Sequence, residues 1–95
     1  MNGDPIKSGD LTIGWITRTG CDNYWTLAAF QPGNDYEHFR ELLEATLAEE
    51  DELQIALNRV NGLSLTIGNP PLPIRDFQMT SLDTVEFKEG QWLQQ

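Results

Sequence analysis

Apolar residues between Asn34 and Gly62 recur at three- and four-residue steps: Tyr36, Phe39, Leu42, Leu43 and Leu47, then Leu53, Leu57 and Val60. That spacing places them on one face of a helix. Asn34 with Glu37 reads as an N-terminal cap and Asn61-Gly62 as a left-handed stop, so the pattern predicts a helix over 35–61. Glu50 falls in the middle of the apolar face, where a bare charge is costly to bury. One continuous helix is favoured because no Gly or Pro interrupts the run; the alternative is a break near Glu50-Asp51 with Asp51 capping a second helix.

The flanking segments alternate instead. Leu11, Ile13 and Trp15 oppose Thr12, Gly14 and Ile16, and a second alternating run covers Tyr24 to Gln31, with a turn at Gly20-Cys21-Asp22-Asn23 between them. An odd-numbered loop centred on Cys21 would set Leu11, Ile13 and Trp15 beside Trp25, Leu27 and Ala29. The expected core is then Phe39, Leu43, Leu47 and Leu57 against Leu11, Ile13, Trp15 and Leu27. Ile16, Tyr24, Ala28 and Phe30 are left on the opposite face, which is too apolar for water. Either a terminal segment buries this face, or Ile16, Tyr24 and Phe30 are a candidate second interface that a homodimer is one way to cover.

After the helix, Leu63, Leu65 and Ile67 alternate as a further strand, Asn69-Pro70-Pro71-Leu72-Pro73 is expected as a stiff extended loop, and Ile74–Met79 and Thr84–Lys88 as two more strands. Residues 1–9, with Gly3, Pro5 and Gly9, read as a loose lead-in, and Gln91-Trp92-Leu93 as a tail that packs down. The expected fold class is α+β: a largely antiparallel β-sheet in the order β-β-α-β-β-β, with one long helix packed across one face. Residues 1–95 suffice for one small domain.

Charge sharpens this picture. The net charge is −9, and residues 35–62 hold two basic and eight acidic residues, which gives −6 to the helical segment alone. Such a balance argues against binding nucleic acid directly or an anionic membrane surface, since both draw affinity from Lys and Arg. A partner with a basic surface fits instead. Glu37, Glu41, Glu44, Asp51 and Glu52 share an outward stripe with Ile55 embedded in it, which reads as a docking surface with a charged rim. The lone Cys21, the absence of a signal-peptide pattern and the lack of a long apolar run lead to a cytoplasmic expectation.

Candidate chemistry is sparse. His38 beside Glu37 and Glu41 matches no established zinc spacing, and Cys21 has no adjacent basic residue to lower its pKa. The glycines form no phosphate loop or dinucleotide fingerprint. No catalytic residue, metal ligand or cofactor is assigned. Arg18, Trp25, Arg75 and Lys88 would make a small ligand pocket if the strands brought them to one side.

The resulting expectation is a non-enzymatic acidic interaction module, acting as an inhibitor, immunity-type antidote, adaptor or chaperone. A nucleic-acid mimic, with carboxylates along a rod in place of phosphates, is its specific version. The alternative is a small-ligand-binding domain or minor enzyme with a pocket between helix and sheet or at a dimer interface.

Overall fold

Six antiparallel strands close on themselves in the order β1-β2-β3-β6-β5-β4, with β4 pairing back to β1. The structure is a computed structural model and describes residues 3–90. The strands are β1 (Asp4–Ser8), β2 (Leu11–Asp22), β3 (Trp25–Pro32), β4 (Thr66–Ile67), β5 (Leu72–Ser81) and β6 (Thr84–Glu89). Two helices, α1 (Tyr36–Glu44) and α2 (Glu50–Asn61), occupy the crossover from β3 to β4, joined by a 3₁₀ turn at Ala45–Leu47. The expected α+β sheet with one long helix across it is therefore replaced by a closed barrel.

The strand that closes it is β1, in the segment expected to be a loose lead-in. Ile6 is fully buried, and β1 pairs with β2 along one edge and β4 along the other. A two-residue turn with Gly9 at φ +61° returns the chain into β2. Leu72 and Pro73, expected in a loop, instead start β5 and pair with Ile67 and Thr66. The strand expected around Leu63–Ile67 is reduced to Thr66–Ile67. The Gln91-Trp92-Leu93 tail lies outside the described residues.

Bulges decide which side chains face inward. Ile13 is the extra residue in the β1–β2 ladder, and Thr19 the extra one between β2 and β3. The β2–β3 loop is two residues, Asn23-Tyr24, and not the odd-numbered loop expected; the Thr19 bulge then restores odd-with-odd pairing, so Trp15 faces Gln31 and Thr17 faces Ala29. The inward face is the reverse of the one expected except at the bulged Ile13, which is fully buried in the core as expected. Ile16 and Phe30 are 1% and 5% exposed inside the barrel, while Leu11 is exposed and Trp15 and Leu27 are half-buried outside it. Ile16, Tyr24 and Phe30 thus form no second interface: the first and last are core, and Tyr24 is on the hairpin tip. Gly14 makes this possible, because a Cβ there would lie 2.6 Å from the Gln31 carbonyl oxygen and collide with the Phe30 ring.

In β5 the bulge is at Asp76, whose φ of +54° is held from α2. The Asp76 N–H donates to Asn61 Oδ1 at 2.8 Å, and Asn61 Nδ2 donates to Asp76 Oδ1 at 2.8 Å. This added residue switches the strand's parity, so that Ile74 before it and Phe77 and Met79 after it all point inward. Phe77 stacks on Phe87 at 6.1 Å and meets Phe30 edge-on at 6.0 Å, forming the aromatic centre of the core.

The helical segment breaks, and Glu50 is the reason. Past the 3₁₀ turn the chain becomes extended at Ala48 and Glu49, then Glu50 takes φ +56° and α2 starts with Glu50 in water. One continuous helix would have pressed that charge against the barrel. Phe39, Leu43, Leu57 and Val60 still reach the core, but Leu47, expected there, ends the turn 41% exposed. Asp35, and not Asn34, precedes α1, and its carboxylate accepts a hydrogen bond from the Thr12 N–H at 2.9 Å. Gly62 remains right-handed, and the left-handed residue after α2 is Ser64.

Candidate functional site

Because α2 turns back along α1, their outward faces border common hollows. One, about 850 Å³, is open and polar, and is lined by Glu37, His38, Arg40, Glu41 and Glu44 of α1 together with Arg59 near the end of α2. A second, about 300 Å³, runs between Glu44, Ala45 and Ala48 on one side and Glu52, Ile55, Ala56 and Arg59 on the other. Glu44, Ala45 and Arg59 line both, so the two are continuous. A third, about 430 Å³, adjoins them through Glu37, Arg40 and Glu44 and ends at the exposed Leu82.

Five of the six residues expected to meet a partner thus fall on this surface: Glu37, Glu41, Glu44, Glu52 and Ile55. Asp51 is exposed in the first turn of α2 and lines none of these hollows. Arg40 is held within α1, with Glu37 and Glu44 each at 3.3 Å, so it contributes little free positive charge. Their carboxylates hold its guanidinium pKa above the ordinary value. Arg59, Ala45 and Ala56 join this surface without belonging to the stripe expected from sequence.

Glu44 differs from its neighbours because it is half-buried and accepts a hydrogen bond from the Tyr36 hydroxyl at 2.9 Å. Burial, followed by the adjacent Glu44 carboxylate, pushes the Tyr36 pKa up to about 12. Since the folded form holds this proton more tightly than the unfolded chain, the associated stability is complete below pH ~10 and is lost as pH rises toward 12. An alkaline titration followed by phenolate absorbance should show a late step that disappears in Tyr36→Phe. Glu44→Gln should move that step down without restoring an ordinary tyrosine, because burial is the larger cause. A late step unaffected by either change would place Tyr36 elsewhere.

The cation and aromatic group expected to make a ligand pocket is divided between the two barrel faces. Trp25, Lys88 and Arg75 lie in one outward row on β3, β6 and β5, where Lys88 sits 4.9 Å from the Trp25 ring centroid and 3.2 Å from Asp76 Oδ2. Arg18 instead lies on the inward side at one end of the barrel. It pairs with Asp4 and, through Nη2, with Glu89 Oε1 at 2.7 Å, while Glu89 Oε2 accepts from Thr26 at 2.8 Å. This network joins β1, β2, β3 and β6. The Arg18 guanidinium holds Glu89 below the usual carboxylate pKa. It is a structural closure in which every charge is engaged.

His38 is exposed on α1, edge-on to Phe39 at 5.7 Å, and Cys21 is exposed on β2 opposite Thr26. Among the described residues no three His, Cys, Asp or Glu side chains are arranged to hold a metal, and no helix is long and apolar enough to cross a membrane. Comparison of the chain with protein-family models, with curated proteins and with solved structures finds no match.

Proposed function

We propose that this chain is a non-enzymatic cytoplasmic interaction module that binds a basic protein surface through the outward face of α1 and α2, in the manner of an inhibitor, immunity-type antidote, adaptor or chaperone. The observation that carries this reading is the uncompensated charge on that face. Glu41 and Glu52 on its walls are exposed, Glu49, Glu50 and Asp51 are exposed at the adjoining start of α2, and no ion pair engages these five among the described residues. The barrel end, in contrast, neutralises its carboxylates with Arg18. Repulsion within such a cluster is relieved by a cationic partner.

Capture of partners from the native host at low and high salt is the direct test, with basic proteins retained only at low salt. For a captured partner, Glu41→Gln with Glu52→Gln should leave the fold within about 0.5 kcal/mol of the parent, because both side chains are exposed. Association should become slower and less salt-dependent, since exposed charges steer encounter. Association rates unchanged across a salt series would remove the reading. A second reading, a small-ligand site, rests on the 850 Å³ hollow with His38, Arg40 and Arg59 on its walls. It requires a small molecule that co-purifies and is released by Arg59→Ala.

A further inference from the structure

We infer that the occupant of this face is a basic amphipathic helix that seats one apolar side chain between Ala45, Ala48, Ile55 and Ala56, with its cations toward Glu41 and Glu52. The inference rests on the reading above that the face binds a basic partner, and it selects one kind of partner from those that reading admits.

Three features favour it over a phosphate-like rod fitted into a nucleic-acid-binding groove. The break at Ala48–Glu49 distributes the carboxylates over two helices that fold back on one another, so they do not follow a single line. Between the helices lies a cleft of about 300 Å³ whose polar rim is Glu44, Glu52 and Arg59 and whose walls are otherwise aliphatic. Ile55, on its wall, is 55% exposed, an apolar side chain that a surface meeting only charges has no reason to present. Small side chains at Ala45 and Ala48 leave the cleft open to an inserted residue. Arg40 and Arg59 are outweighed on the joined surface by Glu37, Glu41, Glu44 and Glu52, and Glu41 and Glu52 have no ion pair among the described residues, so the complementary charge is positive. A helix with an apolar stripe and flanking Lys or Arg supplies both halves of this chemistry at helical spacing.

The probe is a peptide of Leu and Lys in helical periodicity, compared with a scrambled peptide of the same composition. Binding is measured by fluorescence anisotropy at low salt to the full chain, to Ala45→Trp, to Ile55→Ala and to the Glu41→Gln, Glu52→Gln double variant. The periodic peptide should bind at least about tenfold more tightly than the scrambled one. Ala45→Trp, which fills the cleft from an exposed position, should abolish that preference while leaving binding of the scrambled peptide. Ile55→Ala should reduce the preference, and supplies the test independently of the Trp variant's folding. The double Gln variant should weaken both peptides. Equal binding of the two peptides, or a preference untouched by both cleft variants, overturns the inference and leaves the basic-partner reading standing. If neither peptide binds, both are overturned.

Discussion

Phe77→Ala should lower the free energy of unfolding by about 3–5 kcal/mol, a large part of what a domain of this size commonly possesses. Phe77 is 1% exposed and its ring contacts those of Phe30 and Phe87, so truncation removes buried area and leaves a void that surrounding strands cannot fill. Its orientation depends on the Asp76 bulge. Were Asp76 paired in a regular strand and not bulged, Phe77 would point outward like Arg75. Urea unfolding of Phe77→Ala beside Arg75→Ala, an exposed neighbour, separates loss of core from loss of strand. A cost below about 1 kcal/mol for Phe77→Ala would place the ring outside the barrel interior.

Much of the strand content was legible because alternation is regular through Trp25–Phe30 and Thr84–Lys88, while the bulged β2 and β5 keep it only on either side of their bulges. Closure was not. β1 is five residues long, carries Pro5 and is bracketed by Gly3 and Gly9, so Ile6 alone announces its buried face. Its partner β4 is remote in sequence, and only pairing to both β2 and β4 shows that the sheet has no free edge.

Alternation also separates two faces of a strand without saying which is inside. The outer face of the hairpin carries Trp15, Trp25 and Leu27, so apolar content pointed the wrong way. Gly14 was the available clue, since glycine within a strand marks a close approach, here by the Phe30 ring. Glu50 was likewise the available clue to the helix break. The acidic stripe itself was readable from spacing along α1, whereas the approach of Arg59 to Glu37, His38 and Glu41 depends on a reversal of direction that periodicity cannot express.

Thr46→Val should cost about 1–3 kcal/mol although it changes neither the size nor the branching of the side chain. Thr46 is 2% exposed in the 3₁₀ turn, where its hydroxyl donates to the Leu43 carbonyl at 2.6 Å and accepts from the Met79 N–H at 2.8 Å. The turn thereby satisfies a backbone donor of β5 on the side turned away from β6. Valine keeps the packing but leaves that buried N–H without its acceptor. Thr46→Ser retains the hydroxyl and should be the milder change, despite losing a methyl group. Hydrogen exchange at the Met79 amide should accelerate in the Val variant and not in the Ser variant. Because the same turn carries Ala45 and leads into Ala48, loosening it should also reduce the cleft's preference for the periodic Leu/Lys peptide. Stability and Met79 exchange that match the parent in Thr46→Val would show that this hydrogen bond does not help hold the turn to the barrel.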